Sequence, residues 1–190
     1  MEPYEITART AFLKEMGFLN DFGLTMTGTL ASEIHEGNPL LLAKACESRM
    51  FMNLSGEQIT CMLSMFLETH EEESAFVPAD LEKSYRDLGT FVKLYSTTEP
   101  IHSDISFWAL HTYWISMVRH WLNSDEPVWT LHGVEEGTFV RAMLKLANLV
   151  EEWISMCTLL QDTEMIEKMK DIPSRILKGI VIPDSLYLRI

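Results

Sequence analysis

The feature that most constrains this chain is a long run of apolar residues at heptad spacing in its second half. Steps of four and three residues separate Phe139, Met143, Leu146, Val150, Trp153, Cys157 and Leu160. Such steps bring side chains to one face of an α-helix. The spacing predicts a long helix, beginning after 135–137, with one face in the core around which the other elements must pack.

Signals for the start of a helix recur along the chain. Asn38 followed by Pro39 is typical of an N-cap and a first helical turn. Ser55 with Gln58 three residues later matches a capping box, which predicts a helix that reaches Leu67. Helices are also expected over 9–18 and 79–95, where apolar residues recur at helical spacing, and a short helix is expected over 30–35.

The end of the chain carries a further helical pattern. Asp162 or Thr163 is expected to cap a helix from Glu164 to about Lys178, with Pro173 as a kink or a restart. The apolar tail 180–188 is expected to pack onto the body of the protein, whereas the acidic stretch 68–74 is expected to be a solvated loop.

An aromatic segment precedes the long helix. Apolar residues at steps of three and four predict a continuous, buried helix from Ser103 to Leu122, namely Phe107, Leu110, Trp114, Met117 and Trp121. All these patterns together predict an all-α fold. We expect a compact bundle of about seven to eight helices around the long heptad-patterned helix, as a single domain spanning residues 1–190.

Composition limits the classes of function. The formal net charge of −13 argues against a free-standing module that binds nucleic acid by bulk electrostatics, so any nucleic-acid contact must be local. Cys46, Cys61 and Cys157 lie among apolar neighbours, which favours buried free thiols over disulfides or metal ligands. The chain has no long apolar span and no secretory start, so we expect an intracellular protein without a membrane partner.

Sequence motifs for catalysis are missing. No G-x-x-x-x-G-K-[S/T] run cradles phosphates, and no histidine follows a glutamate at the spacing of a di-iron bundle. No nucleophile elbow is present. We therefore expect no catalytic centre, no metal and no cofactor in this chain.

A polar stripe on the long helix remains to be explained. Arg141, Lys145, Asn148, Glu152 and Ser155 recur at steps of four, three, four and three, opposite the apolar face. Two cations one turn apart repel each other, which is easiest to understand if they face solvent, an acidic neighbour or a phosphate chain. A merely solvated face explains the spacing equally well.

Several segments of the chain form an ordered set of motifs. In the first half these are Leu13-Lys14-Glu15-Met16-Gly17-Phe18, Gly28-Thr29-Leu30-Ala31-Ser32-Glu33-Ile34, Met52-Asn53-Leu54-Ser55-Gly56-Glu57-Gln58-Ile59 and Leu63-Ser64-Met65-Phe66. In the second half these are Arg119-His120-Trp121, Glu136-Gly137-Thr138-Phe139-Val140-Arg141, Asn148-Leu149, Asp162-Thr163-Glu164-Met165 and Ser185-Leu186-Tyr187-Leu188. In this order the segments resemble the C-terminal helical (DSHCT) domain of superkiller-type, exosome-associated DExH-box RNA helicases, and the resemblance covers nearly the whole chain.

The resemblance implies an accessory role in an ATP-dependent 3′-to-5′ RNA helicase. In that family the domain packs against the motor domains and contacts single-stranded RNA that leaves them. ATP and Mg²⁺ belong to those motor domains, and many members supply RNA to the exosome. The implied RNA-binding residues are Arg141, Lys145 and Asn148, with Glu68 as a looser match near the end of the preceding capping-box helix.

This chain departs from the family pattern on the long helix. The family has two adjacent basic residues where this chain has Leu144-Lys145, and a mixture of acidic and basic residues at Ala147-Asn148 and Glu151-Glu152. The positive charge on that face is therefore reduced. Together with the acidity and twelve methionines, this leaves open an alternative function, a helical protein–protein interaction scaffold without RNA binding. A piece of a helicase and a domain that now stands alone are both compatible with the sequence, as are nuclear and cytoplasmic locations.

Overall fold

The computed structural model describes residues 2–69, 76–99 and 105–180. Within these ranges the chain is all-α, as predicted, apart from a hairpin of two short antiparallel strands, β1 (Leu19–Asn20) and β2 (Gly23–Leu24). The α-helices are α1 (Pro3–Glu15), α2 (Met26–Ser32), α3 (Pro39–Glu47), α4 (Gly56–Leu63), α5 (Glu82–Thr98), α6 (Ile115–Asn123), α7 (Val128–Leu131), α8 (Glu136–Leu159), α9 (Thr163–Met169) and α10 (Ile172–Leu177). Single 3₁₀ turns cover Ser64–Phe66, Ala79–Leu81 and Ile105–Trp108.

The heptad-patterned segment forms α8, a helix of 24 residues. Its apolar face is buried at Phe139, Ala142, Met143, Leu146, Ala147, Leu149, Val150, Trp153, Met156 and Cys157. This face packs against α3, α4, α9 and α10. The Trp153 ring also lies 5.5 Å from the Phe51 ring, centroid to centroid, within the usual range for an aromatic pair. The predicted core face of this helix is therefore confirmed.

The predicted helix caps are also present. The Asn38 side-chain oxygen accepts hydrogen bonds from the backbone N–H groups of Leu40 and Leu41. Ser55 and Gln58 form the full capping box, each side chain accepting a hydrogen bond from the other residue's backbone N–H. The Asp162 side chain caps α9 by accepting from Met165 N–H. Helix α10 begins as a separate helix with Pro173 in its first turn.

The prediction of one continuous aromatic helix was wrong within the described residues. The 3₁₀ turn ends at Trp108, and α6 begins only at Ile115. Backbone groups of this region bond to other elements: His111 N–H, between the two, donates to Met65 O at 2.8 Å, and within the turn Phe107 O accepts from the Asn38 side-chain amide at 2.8 Å. Tertiary hydrogen bonds have replaced the helical ones here. Residue 103, where this helix was predicted to begin, lies outside the described residues.

Other helix boundaries also differ from the predictions. The helix expected over 9–18 runs over Pro3–Glu15, and the one expected over 79–95 begins as a 3₁₀ turn and continues as Glu82–Thr98. The helix expected over 30–35 begins earlier, at Met26, because the Thr25 side chain caps it by accepting from Gly28 N–H. The helix expected to reach Leu67 ends at Leu63 and tightens into a 3₁₀ turn. Residues 70–74 of the acidic stretch and the tail from 181 onward lie outside the described residues. None of the helices within the described ranges has the length and apolar character needed to cross a membrane.

A polar cluster on the surface fixes α4 and α6 to the turn that precedes α5. The Arg119 guanidinium donates to both carboxylate oxygens of Asp80, at 2.7 and 3.1 Å, and its Nε lies 3.5 Å from Glu57. The Gln58 side chain donates to the same Asp80 carboxylate at 2.9 Å. Asp80 therefore connects two segments that are distant in sequence.

Candidate functional site

Helix α8 presents its polar face to solvent on the side opposite the core. Arg141, Lys145 and Asn148 are all exposed, because their spacing of four and three keeps them on one face. The predicted shared face is present in the structure. Neither Arg141 nor Lys145 makes an ion pair within the described part of the chain, and Arg141 Nη2 makes only a long contact of 3.4 Å to the Thr138 hydroxyl.

Lys145 and Glu68 lie at the same cavity. This cavity, of about 420 Å³, is also lined by residues of the loop before α3 and of the segment 106–111, among them Glu36, Phe107 and His111. Glu68 reaches it because the chain leaves the 3₁₀ turn at Phe66 and continues past α8. The structure thus brings together two of the predicted site residues.

Asn148 lines a neighbouring, wider cavity of about 860 Å³. Its other lining residues include Glu33, Glu151, Glu152, Ser155 and Lys170. His35 and Glu36 border both cavities, so the two form adjoining parts of one surface. Arg141 lines neither cavity and lies one turn before Lys145 along the helix.

Glu152 has a structural role that its place in the polar stripe does not reveal. Its carboxylate accepts hydrogen bonds from the backbone N–H groups of His35, at 2.9 Å to each oxygen, and of Glu36, at 2.9 and 3.5 Å. These bonds hold the loop before α3 against α8. Hydrogen bonds to a charged group are stronger than neutral ones. Glu152 therefore supports the wall between the two cavities.

Sequence reasoning missed Glu36, which lies at the centre of this surface. Burial raises the pKa of the Glu36 carboxyl above its ordinary value; the nearby Lys145 cation opposes this, and the Glu152 and Glu68 carboxylates add to it. A proton on Glu36 would lower the negative charge facing Lys145. The sequence around Gly37-Asn38-Pro39 indicates a turn there, but the approach to α8 depends on tertiary packing that no local pattern encodes.

The cysteines are buried and free, as predicted, although two of them are neighbours. The sulfurs of Cys46 and Cys157 lie 3.9 Å apart, and their hydrogen bond and burial raise the pKa of the Cys46 thiol. Burial raises the pKa of Cys61 to about 11. A thiol must ionise to act as a nucleophile, so none of this favours cysteine chemistry. Within the described ranges, no group of three or more His, Cys, Asp or Glu residues could hold a metal ion.

Comparison with known proteins gives a consistent assignment. The ATP-dependent RNA helicase mtr4 of Schizosaccharomyces pombe is 24% identical over 198 residues, which cover 99% of this chain and 18% of the helicase. The exosome RNA helicase MTR4 of Homo sapiens is 24% identical over 97% of this chain and 18% of its own length. The DExH-box ATP-dependent RNA helicase DExH9 of Arabidopsis thaliana is 23% identical over 97% of this chain and 20% of its own length.

This chain thus spans about a fifth of the length of these relatives. The family model described as the DSHCT (NUC185) domain matches residues 21–183, which include α8, both cavities and the polar cluster around Asp80. The match covers far more than half of the chain. The chain therefore belongs to the DSHCT domain family.

Proposed function

We propose that this chain guides single-stranded RNA as the accessory domain of an ATP-dependent 3′-to-5′ RNA helicase. The observation that carries the proposal is the exposed face of α8, where Arg141 and Lys145 form no ion pair with any residue that the structure describes. ATP and Mg²⁺ would act in the motor domains, which are the expected packing partners. An exosome-type complex is a further proposed partner, because the relative from Homo sapiens carries exosome in its name.

Arg141 and Lys145 differ from most cations of the described residues, which form ion pairs. Acidic residues outnumber basic ones by 28 to 15, and many of the cations are neutralised locally. The ion-paired cations of the described residues are Lys14, Lys44, Arg49, Lys83, Arg119, Lys168, Lys170 and Lys178. Arg141 and Lys145 keep their charge available, although carboxylates lie in excess around them. A flexible phosphate chain is a ligand that such isolated cations fit.

Nearby carboxylates limit how much RNA this face can hold. Glu36 and Glu68 share the cavity with Lys145 and repel phosphate. We therefore expect weak binding in which this face makes two phosphate contacts and contributes about −1.4 to the slope of log K against log salt for single-stranded RNA. A domain that guides RNA needs such weak contacts, because the strand must slide past them.

The test measures binding of the 190-residue chain to a fluorescent single-stranded RNA as salt is raised. Its test variant is Arg141→Gln/Lys145→Gln, and its control is Lys14→Gln/Lys83→Gln, which removes the same charge from two exposed, ion-paired lysines. We expect the first variant to lose binding and its salt dependence, whereas the control keeps both. Equal effects of the two variants would show that only net charge matters and would contradict the proposal.

A second candidate function, a protein–protein scaffold without RNA binding, is favoured by the β-hairpin. Phe22 at its tip is 100% exposed, and Leu24 and Met26 beside it are 57% and 54% exposed. Exposed apolar side chains that lie close together favour a protein contact. This candidate predicts that the wild-type chain does not bind RNA, and that Phe22→Ser abolishes capture of a protein partner.

A further inference from the structure

A second groove lies along α5, outside the surface just described. It has a volume of about 600 Å³ and is lined by Tyr85, Arg86, Gly89, Thr90, Val92, Lys93, Trp108 and Leu110. None of these lining residues carries a carboxylate, in contrast to both cavities beside α8. The groove is therefore better suited to an anion than the surface around Lys145.

Two unpaired cations stand along this groove. Arg86 and Lys93 are exposed and make no ion pair within the described ranges, whereas Lys83 on the same helix is paired with Asp87 at 3.1 Å. A separation of seven residues places Arg86 and Lys93 about 10.5 Å apart along the helix axis and on nearly the same face. This spacing suits a chain of phosphates more than a single small anion.

Gly89 provides an independent observation. It lies between the two cations in the middle of a 17-residue helix, where glycine costs about 1 kcal/mol relative to alanine. A Cβ added to Gly28 or Gly56 would collide with the backbone oxygen of Phe18 or Lys168, which explains those glycines by packing. A Cβ on Gly89 would meet no atom of residues 2–69, 76–99 and 105–180 within 4 Å. Packing therefore does not explain this glycine, whereas close approach of a ligand to bare helix backbone does.

The segment 106–111 lies between this groove and the α8 surface. Phe107, Ala109 and His111 line the cavity of Lys145, whereas Trp108 and Leu110 line the α5 groove. One narrow ridge thus separates the two. A strand that crosses the ridge passes from the cations of α8 to those of α5.

We propose that the α5 groove is a second contact for the backbone of single-stranded RNA, with Arg86 and Lys93 binding phosphates on either side of Gly89. Tyr85, which is half-buried in the groove wall, supplies an aromatic surface for a base. This proposal rests on the proposed function and extends the RNA path beyond Arg141 and Lys145.

The experiment uses the 190-residue chain and uridine oligonucleotides of increasing length. Three variants are compared with the wild type: Arg86→Gln/Lys93→Gln, Gly89→Leu, and the charge-matched control Lys14→Gln/Lys83→Gln. We expect Arg86→Gln/Lys93→Gln to reduce the magnitude of the slope of log K against log salt by about 1.4. The same variant should abolish the gain in affinity that longer oligonucleotides give the wild type. Gly89→Leu fills the groove while keeping both cations, so it should lose the same length-dependent gain. Thermal unfolding checks that each variant is folded.

The outcomes separate this proposal from the proposed function. If Arg141→Gln/Lys145→Gln abolishes binding while Arg86→Gln/Lys93→Gln behaves like the control, the α5 groove is not an RNA contact and the proposed function stands. If Gly89→Leu binds long oligonucleotides like the wild type, the groove proposal fails. If the wild type binds no RNA, both proposals fail. A polyglutamate peptide serves as a competitor. If it displaces bound RNA and this displacement depends only on Arg86 and Lys93, the groove binds an acidic protein segment instead of RNA.

Discussion

The carboxylate of Glu152 accepts a hydrogen bond at 2.9 Å from the backbone N–H of Glu36, whose own side chain is acidic. The bond draws two carboxylates toward each other at the edge of the Lys145 cavity, and the Glu152 charge contributes to the raised pKa of Glu36. The backbone bond and the side-chain repulsion oppose each other. They can be separated by substitution, because one depends on the Glu152 acceptor and the other on the Glu36 charge.

Replacing Glu152 with alanine should destabilise the fold. The change leaves the N–H groups of His35 and Glu36 without their acceptor, and a hydrogen bond to a charged group contributes about 1.5–3 kcal/mol. Urea denaturation measures the loss of unfolding free energy. Glu151→Ala is the matched control, since Glu151 is the exposed neighbour on the same helix. Equal stability of the two variants would contradict the role given to Glu152.

Glu36→Gln should stabilise the protein at neutral pH. The folded-state pKa of Glu36 is raised, so the folded protein prefers the protonated form and loses stability as pH rises through that pKa. The variant and the wild type should therefore be equally stable below about pH 4, near the ordinary pKa of glutamate. Above the raised pKa the variant should be more stable. Urea midpoints recorded for both proteins across this pH range test the sign of the stability difference. A wild type that becomes more stable relative to the variant as pH rises would contradict the prediction.

Asp80→Asn should destabilise the fold, because Asp80 contributes stability that increases with pH, whereas the contribution of Glu36 decreases with pH. The Arg119 guanidinium, followed by the Gln58 amide, lowers the pKa of Asp80 to about 2. A lowered folded-state pKa gives stability above the ordinary pKa, 3.8, that is lost as pH falls toward about 2. Because Asp80 is largely exposed, the contribution should be only about 0.2–1 kcal/mol. The thermal unfolding midpoints of the two proteins should converge near pH 2. A difference that stays constant with pH would exclude ionisation of the Asp80 carboxylate as its cause.

Two glycine-to-alanine substitutions should have opposite effects on stability. At Gly56 the added Cβ meets the backbone oxygen of Lys168 in α9, so the overpacked variant should lose about 1–3 kcal/mol. At Gly89 the Cβ meets no atom of the described residues within 4 Å, and the better helix propensity of alanine should add about 0.5–1 kcal/mol. Chemical denaturation of the two single variants checks both signs. Destabilisation by Gly89→Ala would mean that α5 needs glycine for its own fold.

The sequence was most informative where interactions are local. The caps at Asn38 and Ser55 and the buried face of α8 follow from residues three or four positions apart, and all are present. The break between Trp108 and Ile115 was not predictable in this way, because the backbone partners there come from Met65 and Asn38. The candidate site divides similarly. Arg141, Lys145 and Asn148 share a face through helical spacing, whereas Glu36 joins them only through tertiary packing.

The partners of individual charged side chains could also be identified only from the structure. Sequence spacing offers a carboxylate one helical turn away both to Lys83, at Asp87, and to Arg86, at Glu82. Only the folded chain distinguishes Lys83, which is paired with Asp87, from Arg86. The same holds for Glu152, which a helical projection places among solvated residues but which binds the loop at residues 35 and 36.

The ridge at 106–111 has a consequence for how the domain can diversify. Its residues alternate between the two grooves, with Phe107 and Ala109 on one side and Trp108 and Leu110 on the other. The Phe107 and Trp108 rings contact each other, with centroids 4.9 Å apart, so a change at either ring is felt in both grooves. Ala109 and Leu110 each line one groove, and adjacent codons at these two positions therefore act on different surfaces.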